Sequence, residues 1–303
     1  MAYKVLYIDD ENEDRSQAYA DGLSTLGLIE ITIKKPTSFE TLRDELIHEQ
    51  SNIDALILDL RLDGNQQGER VAKYTAPILA TGIRSHCLIE DGFKKEFPIL
   101  LISSKDNLKK YFDSDTSSHD LFDYTFNKAT VGNEGEKYEK LIVSITEAYN
   151  VIGEGKTDFA KILDYPSIKN IENRIFTSKL LAGEGTSVSE VSQYIYNEII
   201  SKSGILIDEN ILAARLGVNI EKSEDWNKIL DYVFEYKYTG IFCNAFERWW
   251  FNGIMDWWND NFPNKLLIRL NAEERVCLLK EKFHLQKLNV AEPIAKTTST
   301  KFW

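Results

Sequence analysis

Acids, hydroxyls and one lysine close a series of apolar runs in the first half of the chain. "VLYIDDEN" sets Asp9, Asp10 and Glu11 directly after four apolar residues. "DALILDL" brings in Asp59, "FPILLISS" ends on Ser103 and Ser104, and "YTFNK" ends on Lys128. A short apolar run closed by a carboxylate reads as a parallel strand buried on both faces. Its C-terminal end then lies where open α/β sheets place their chemistry. For "VLYIDDEN" alone, a solvated turn or a helix cap explains the acids as well as a site does; the recurrence along the chain decides. Three aspartates at one sheet edge repel, at about 3 kcal/mol per pair for an effective dielectric of ~20 and ~5 Å separation. A cation would neutralise them, and oxygen-only ligands favour a hard ion that keeps part of its water, which points to Mg²⁺. A lysine and a hydroxyl opposite such a metal suit a phosphoryl group.

The elements that must position these residues alternate along residues 1–150. After the first strand, "RSQAYADGLSTLGL" has helical spacing and "EITIKK" alternates as a strand. "SFETLRDELIHEQ" opens on Ser38 as an N-cap and continues as a helix. The apolar runs ending near Asp59, Ser103 and Lys128 supply three more strands, and "EKYEKLIVSITEAYNVI" closes as an amphipathic helix. Five strands alternating with helices imply a doubly wound parallel sheet covered on both faces, with right-handed crossovers.

With "YIDDE", "LILDLRLDG", "PILLISS" and "NK" in that order, residues 1–150 resemble the receiver domain of bacterial response regulators. The resemblance implies a flavodoxin-like five-stranded fold and a phosphoaccepting Asp59 whose carboxylate attacks a phosphohistidine or a small phosphodonor in line. It implies that Asp10 binds Mg²⁺ directly, with Asp9 beside it, often through water, and the backbone carbonyl of Arg61 completing the protein ligands. Ser103 would hydrogen-bond the phosphoryl oxygen and Lys128 would pair with its charge. The partner upstream would be a sensor histidine kinase or another phosphodonor. Such chemistry is mostly positioning and electrostatic stabilisation. The chain departs from the family pattern in several places. Ala129 stands where a proline usually follows the lysine, and Asp63 replaces a proline after the phosphoacceptor, with Gly64 keeping the turn. Thr125 occupies the aromatic switch position between Tyr124 and Phe126. The stretch from Asp59 to Ser103 is longer than usual and reads as an extended helix plus a loop.

A chain of 303 residues suggests two domains, drawn here at 1–152 and 153–303. Residues 1–150 hold 17 Lys/Arg against 27 Asp/Glu, a balance of −10; residues 151–303 hold 19 against 21, a balance of −2. Neither has the basic excess that drives binding to a phosphate backbone. No apolar run nears the roughly 18 residues of a membrane span, and no signal-peptide pattern opens the chain. Cys87, Cys243 and Cys277 form neither a disulfide framework nor a zinc site, which fits a reducing cytoplasm.

No family is recognised in residues 151–303, and residues 153–303 read as a mainly α-helical output domain. "GEGKT" from Gly153 follows a helix and lacks phosphate-loop spacing, so it reads as a linker. His48, His86, His119 and His284 lack ligand spacing. "ENILAARLGV" has the small-residue pattern of a helix-turn-helix corner, but the following "EKSEDWNKILDYVFEY" is acidic where a recognition helix needs Arg, Lys, Asn or Gln. The spacing of "GIFCNAFERWWFNGIMDWWNDNFP" predicts an aromatic helix stopped by Pro263, mostly core, with some of Trp249, Trp250, Trp257 and Trp258 exposed to a partner. "NAEERVCLLKEKF" starts with Asn271 and Glu274 as a capping box, and the tail "AKTTSTKFW" reads as loose. The expectation is a phosphoaccepting signalling protein, not otherwise an enzyme, whose second domain binds another protein or a second copy. The rivals are a receiver-like adapter that is never phosphorylated, a transcription regulator with a degenerate helix-turn-helix, and an output enzyme, for which residues 151–303 offer no convincing catalytic constellation.

Overall fold

The computed structural model describes residues 2–64, 74–87, 89–112, 120–155, 158–164 and 187–292. The chain divides into two compact units, Met1–Tyr194 and Ile195–Trp303, whereas the sequence border was drawn at 152/153. Residues 187–194 fall in the first unit, where Glu96 reaches Val188 and Ser189. Its carboxylate accepts from the amides of Val188 (2.8 Å) and Ser189 (3.2 Å), at the start of the helix Val188–Ile195.

The first unit is built on β1 (Tyr3–Ile8), β2 (Ile29–Lys34), β3 (Ala55–Asp59), β4 (Ile99–Ser103) and β5 (Tyr124–Asn127). All neighbours pair in parallel, in the order β2-β1-β3-β4-β5. That is the flavodoxin-like 2-1-3-4-5 order, as expected. β3 and β4 are buried at every position, which is why their sequences are continuous apolar runs rather than alternating ones. On one face, α2 (Phe39–Glu49) and α3 (Ala76–Ser85) pack Leu42, Leu46, Leu79 and Ile83 onto Leu6, Ile8, Leu56, Leu58 and Leu101. Each such side chain taken fully out of water contributes about 1.5–3 kcal/mol. The remaining helices of the unit include α1 (Glu13–Leu23), a short α4 (Lys105–Asn107) that runs into a π-helical turn over Leu108–Phe112, and α5 (Val131–Glu154).

Local signals explain most boundaries. Ser38 caps α2 as its sequence suggests, accepting from the Thr41 amide. The first helix departs from expectation: it begins at Glu13, capped by Asn12, and stops at Leu23 instead of running on to Leu28. Gly27 takes a left-handed φ of 69°. The fully buried Glu139 of α5 then accepts the amides of Leu26 (2.5 Å), Leu28 (2.7 Å) and Ile29 (3.2 Å), fixing the turn into β2. In the long stretch between Asp59 and Ser103, α3 is followed by a loop closed by a bridge between Cys87 and Phe93; residues 65–73 lie outside the description. Arg84 of α3 is tied to the Phe97 carbonyl, Asp123 and Tyr149.

The second unit is mainly helical, as expected, with helices Glu209–Leu216, Trp226–Tyr232, Phe251–Asn261 and Ala272–Phe283 and a two-stranded antiparallel ribbon of β6 (Leu206–Ile207) and β7 (Trp249–Trp250). The aromatic stretch is therefore not one helix. Trp249 and Trp250 are strand, and only Phe251–Asn261 is helical. Nor do its tryptophans face solvent: Trp249, Trp250, Trp257 and Trp258 are at most 6% exposed. The helix-turn-helix resemblance also dissolves. Gly217 ends its helix in the left-handed conformation (φ 77°), and the connection runs from there to Asp225 before the next helix starts. That is far longer than the about 3–4 residues of the DNA-binding turn, and Val218 instead bridges to Val290. Asn271 and Glu274 form the expected capping box. Gly153 and Glu154 are the last helical residues of α5, so no strand precedes "GEGKT". Lys156, Thr157 and the tail from residue 293 lie outside the described residues. Among the described residues no helix is long and apolar enough to cross a membrane.

Candidate functional site

The C-terminal ends of parallel strands lie at one edge of the sheet, and the residues that close β1, β3, β4 and β5 meet there. Asp9 and Asp10 follow β1, Asp59 closes β3, Ser103 closes β4 and Lys128 follows β5. Asp9, Asp10 and Asp59 each offer a carboxylate oxygen, and these lie within 4.8 Å of one another. An open cleft of about 410 Å³ runs over this edge, walled by Asp10, Glu11, Arg15, Asp59, Arg61 and Gly64 among others. Asp9, Ser103 and Lys128 are not on its wall.

Lys128 is the hub. Buried to 8% exposure, its Nζ lies 2.8 Å from Asp59 Oδ1, 3.0 Å from Glu11 Oε1 and 3.5 Å from Asp9 Oδ2. The ring of Tyr19 covers its remaining side, 5.0 Å from the ammonium. Burial acts to lower the lysine's pKa, but Asp59 and Asp9 outweigh it and hold the ammonium charged well above its ordinary value. Asp59 shows the opposite balance. Burial pushes its carboxyl up to about 6, although Lys128 and the Arg61 amide pull it down and Asp9 adds to the rise.

Asp10 is clamped by the loop after β3. The Gly64 amide donates to its Oδ2 at 2.6 Å, and a Cβ on Gly64 would stand 2.5 Å from the same oxygen; only glycine allows that approach. Burial raises the Asp10 carboxyl above its ordinary value; the Gly64 amide opposes the shift and Asp9 adds to it. The Arg61 amide donates to Asp59 Oδ2 at 3.1 Å, while its guanidinium pairs with Asp63. Ser103 is fully buried, and its Oγ has no hydrogen-bond partner. An unsatisfied buried hydroxyl costs about 1–3 kcal/mol, so the position is not explained by packing alone.

The sequence thus brings Asp9, Asp10, Asp59 and Lys128 together. It did not assign Glu11, Tyr7, Ser16 or Tyr19 to the site. Glu11 was visible as the third acid of the run, but its reach to Lys128 depends on β5, far along the chain. The donor set fits a hard cation. All ligands on offer are oxygens, and among the described residues nothing donates to Asp10 Oδ1. The orphaned Ser103 hydroxyl and Lys128 add a donor and a positive charge beside them.

No family model matches this chain, and no curated protein does. Solved structures similar to it include receiver domains and response regulators. One is a CheY-like receiver domain from Methylobacillus flagellatus, at 16% identity, covering 42% of this chain and 87% of that one with a TM-score of 0.30. Another is the signal receiver domain of the putative response regulator NarL from Mycobacterium tuberculosis, at 15% identity, covering 48% and 97% with a TM-score of 0.33. A third is the response regulator RcsB of Salmonella typhimurium, at 16% identity, covering 62% and 96% with a TM-score of 0.29.

Proposed function

We propose that this chain is a response-regulator-type signalling protein that accepts a phosphoryl group on Asp59 in a Mg²⁺-dependent reaction. The observation that carries the reading is the contact of Lys128 Nζ with Asp59 Oδ1 at 2.8 Å beside two further aspartates whose oxygens lie within 4.8 Å. Asp10 and Asp59 would hold the ion with the Arg61 carbonyl, and Asp9 would stand beside it. Bound there, Mg²⁺ supplies charge neutralisation for the phosphoryl oxygens. The rest is done by the chain's own groups. An Asp59 oxygen attacks the phosphorus of the donor, a P–O bond forms, and the donor's P–N or P–O bond breaks with its electron pair leaving on the donor atom. Lys128 then exchanges its pairing with the Asp59 carboxylate for the phosphoryl charge, and the free Ser103 hydroxyl donates to a phosphoryl oxygen.

In this reading the protein is a phosphoacceptor and not otherwise an enzyme, working in the cytoplasm with a sensor histidine kinase or another phosphodonor upstream. Its second unit signals to a protein partner or to a second copy. Nucleic acid is not the proposed target, since the balance of −2 over residues 151–303 offers no phosphate-binding excess.

The test is intact-mass analysis after incubation with a small phosphodonor and Mg²⁺. A single acid-stable, base-labile adduct is expected, absent in Asp59→Asn. No adduct with any donor would overturn the reading in favour of an adapter that uses the fold only for binding.

A further inference from the structure

Asp9 differs from its neighbours in how completely the protein satisfies it. The residue is fully buried. Its Oδ1 accepts the Glu11 amide at 3.0 Å. Its Oδ2 accepts the Tyr7 hydroxyl at 2.5 Å and the Ser16 hydroxyl at 3.1 Å, and lies 3.5 Å from Lys128 Nζ. A carboxylate oxygen has two of the group's about four lone-pair sites, so the Tyr7 and Ser16 hydroxyls fill those of Oδ2, while Oδ1 accepts a single amide. Asp10, by contrast, accepts only the Gly64 amide among the described residues and lies on the cleft wall.

The donors come from fixed elements. Tyr7 and Asp9 are two residues apart at the end of β1, so they project to the same face of the sheet. Tyr7 is fully buried between its register partners Ile33 and Ile57. Ser16, also fully buried, comes from the first turns of α1. For an ion to take Oδ2 of Asp9 directly, a fully buried hydroxyl of Tyr7 or Ser16 would have to give up its acceptor.

We propose that Tyr7 and Ser16 are positioning residues that withhold Oδ2 of Asp9 from the ion and fix it as the counter-charge that sets the place of Lys128. The proposal rests on the reading of this edge as a phosphoacceptor site and assigns its two adjacent aspartates different tasks: Asp10 binds, Asp9 aims the lysine. Tyr7 and Ser16 act through Asp9, to which both hydroxyls donate.

Two measurements on the full chain test it, the second with the Mg²⁺ ion alone as probe. The first uses no metal and follows the ¹⁵N-labelled side-chain ammonium of Lys128 by NMR. Its exchange with solvent should be at least tenfold faster in Tyr7→Phe/Ser16→Ala than in the wild type. Tyr3→Phe, which removes a hydroxyl at the far end of the same strand, should leave it unchanged. Dispersed methyl signals check that each variant is folded, and the single variants stand in if the double one is not. The second titrates Mg²⁺ by calorimetry. Asp9→Asn should change the affinity less than threefold, Asp10→Asn should weaken it at least tenfold, and in the Tyr7→Phe/Ser16→Ala background Asp9→Asn should cost more than in the wild type. Equal losses for Asp9→Asn and Asp10→Asn in the wild-type background, or a Lys128 ammonium unmoved in the double variant, would overturn the proposal. A wild-type protein that takes up no Mg²⁺ would instead sink the metal reading, leaving the lysine measurement to judge the positioning role.

Discussion

At Asp59 two influences oppose each other on one carboxyl. Burial favours the neutral acid, and Lys128 at 2.8 Å favours the anion. Burial wins, and the folded pKa of about 6 stands above the ordinary 3.8. The folded state therefore binds this proton more readily than the unfolded chain does. The stabilisation from it is fully present below about pH 4 and is lost as pH rises through about 6. Asp59→Asn carries no such proton, so in metal-free protein the variant should be more stable than the wild type at pH 7.5, by on the order of 2–3 kcal/mol. The gap should shrink to about a third at pH 4.5 and narrow at pH 7.5 when millimolar Mg²⁺ is added. Hydrogen exchange of the β1 and β3 amides, compared between the two proteins at each pH, measures it. A gap that does not depend on pH would refute the balance described for this carboxyl.

The loop after β3 shows how an element sets a side chain. Asp10 is placed by β1, but the direction of its carboxylate is set by Gly64, whose amide is 2.6 Å from Oδ2. Gly64→Ala would put a methyl 2.5 Å from that oxygen, so either the loop withdraws its amide or the carboxylate turns. Both outcomes spoil the arrangement for a cation while leaving the sheet alone. The expected result is about tenfold weaker Mg²⁺ binding by calorimetry, a loss of about 1.4 kcal/mol, with unchanged amide protection in β1, β3 and β4. An affinity equal to the wild type's would mean that the Gly64 clamp does not shape the ion's ligands.

On the scale of the whole molecule, every tryptophan lies in the second unit, at positions 226, 249, 250, 257, 258 and 303, and none in the first. Trp258 is fully buried, and its Nε1 donates to the Lys265 carbonyl at 2.7 Å. Around it Trp257 stacks on Phe283 and Phe262 lies 4.4 Å from the Trp258 ring. Truncating such a side chain costs about 3–5 kcal/mol. Trp258→Ala should therefore lower the denaturant midpoint seen by tryptophan fluorescence, a signal that belongs to the second unit alone. Mg²⁺ binding by the first unit, measured by NMR, should be untouched. Loss of both together would show that the two units do not keep their stabilities apart.

What the sequence determined by itself follows from local rules. Apolar runs closed by Asp9, Asp10, Asp59, Ser103 and Lys128 mark strand ends, and parallel strands have only one C-terminal edge, so their closing residues must assemble. Ser38 and Asn271 announce their helices because a cap bonds within its own first turn. What the tertiary structure alone decided depends on groups distant in the chain. Aromatic spacing around Trp249 suits a helix, but pairing with Leu206 and Ile207 makes that segment a strand and buries its rings. Glu139 stops the first helix early from α5. "YIDDE" presents two adjacent aspartates as equivalents, yet only the folded chain brings the Ser16 hydroxyl and Lys128 onto Asp9 and the Gly64 amide onto Asp10. A carboxylate's task is set by the donors that reach it, and those come from other strands, helices and loops.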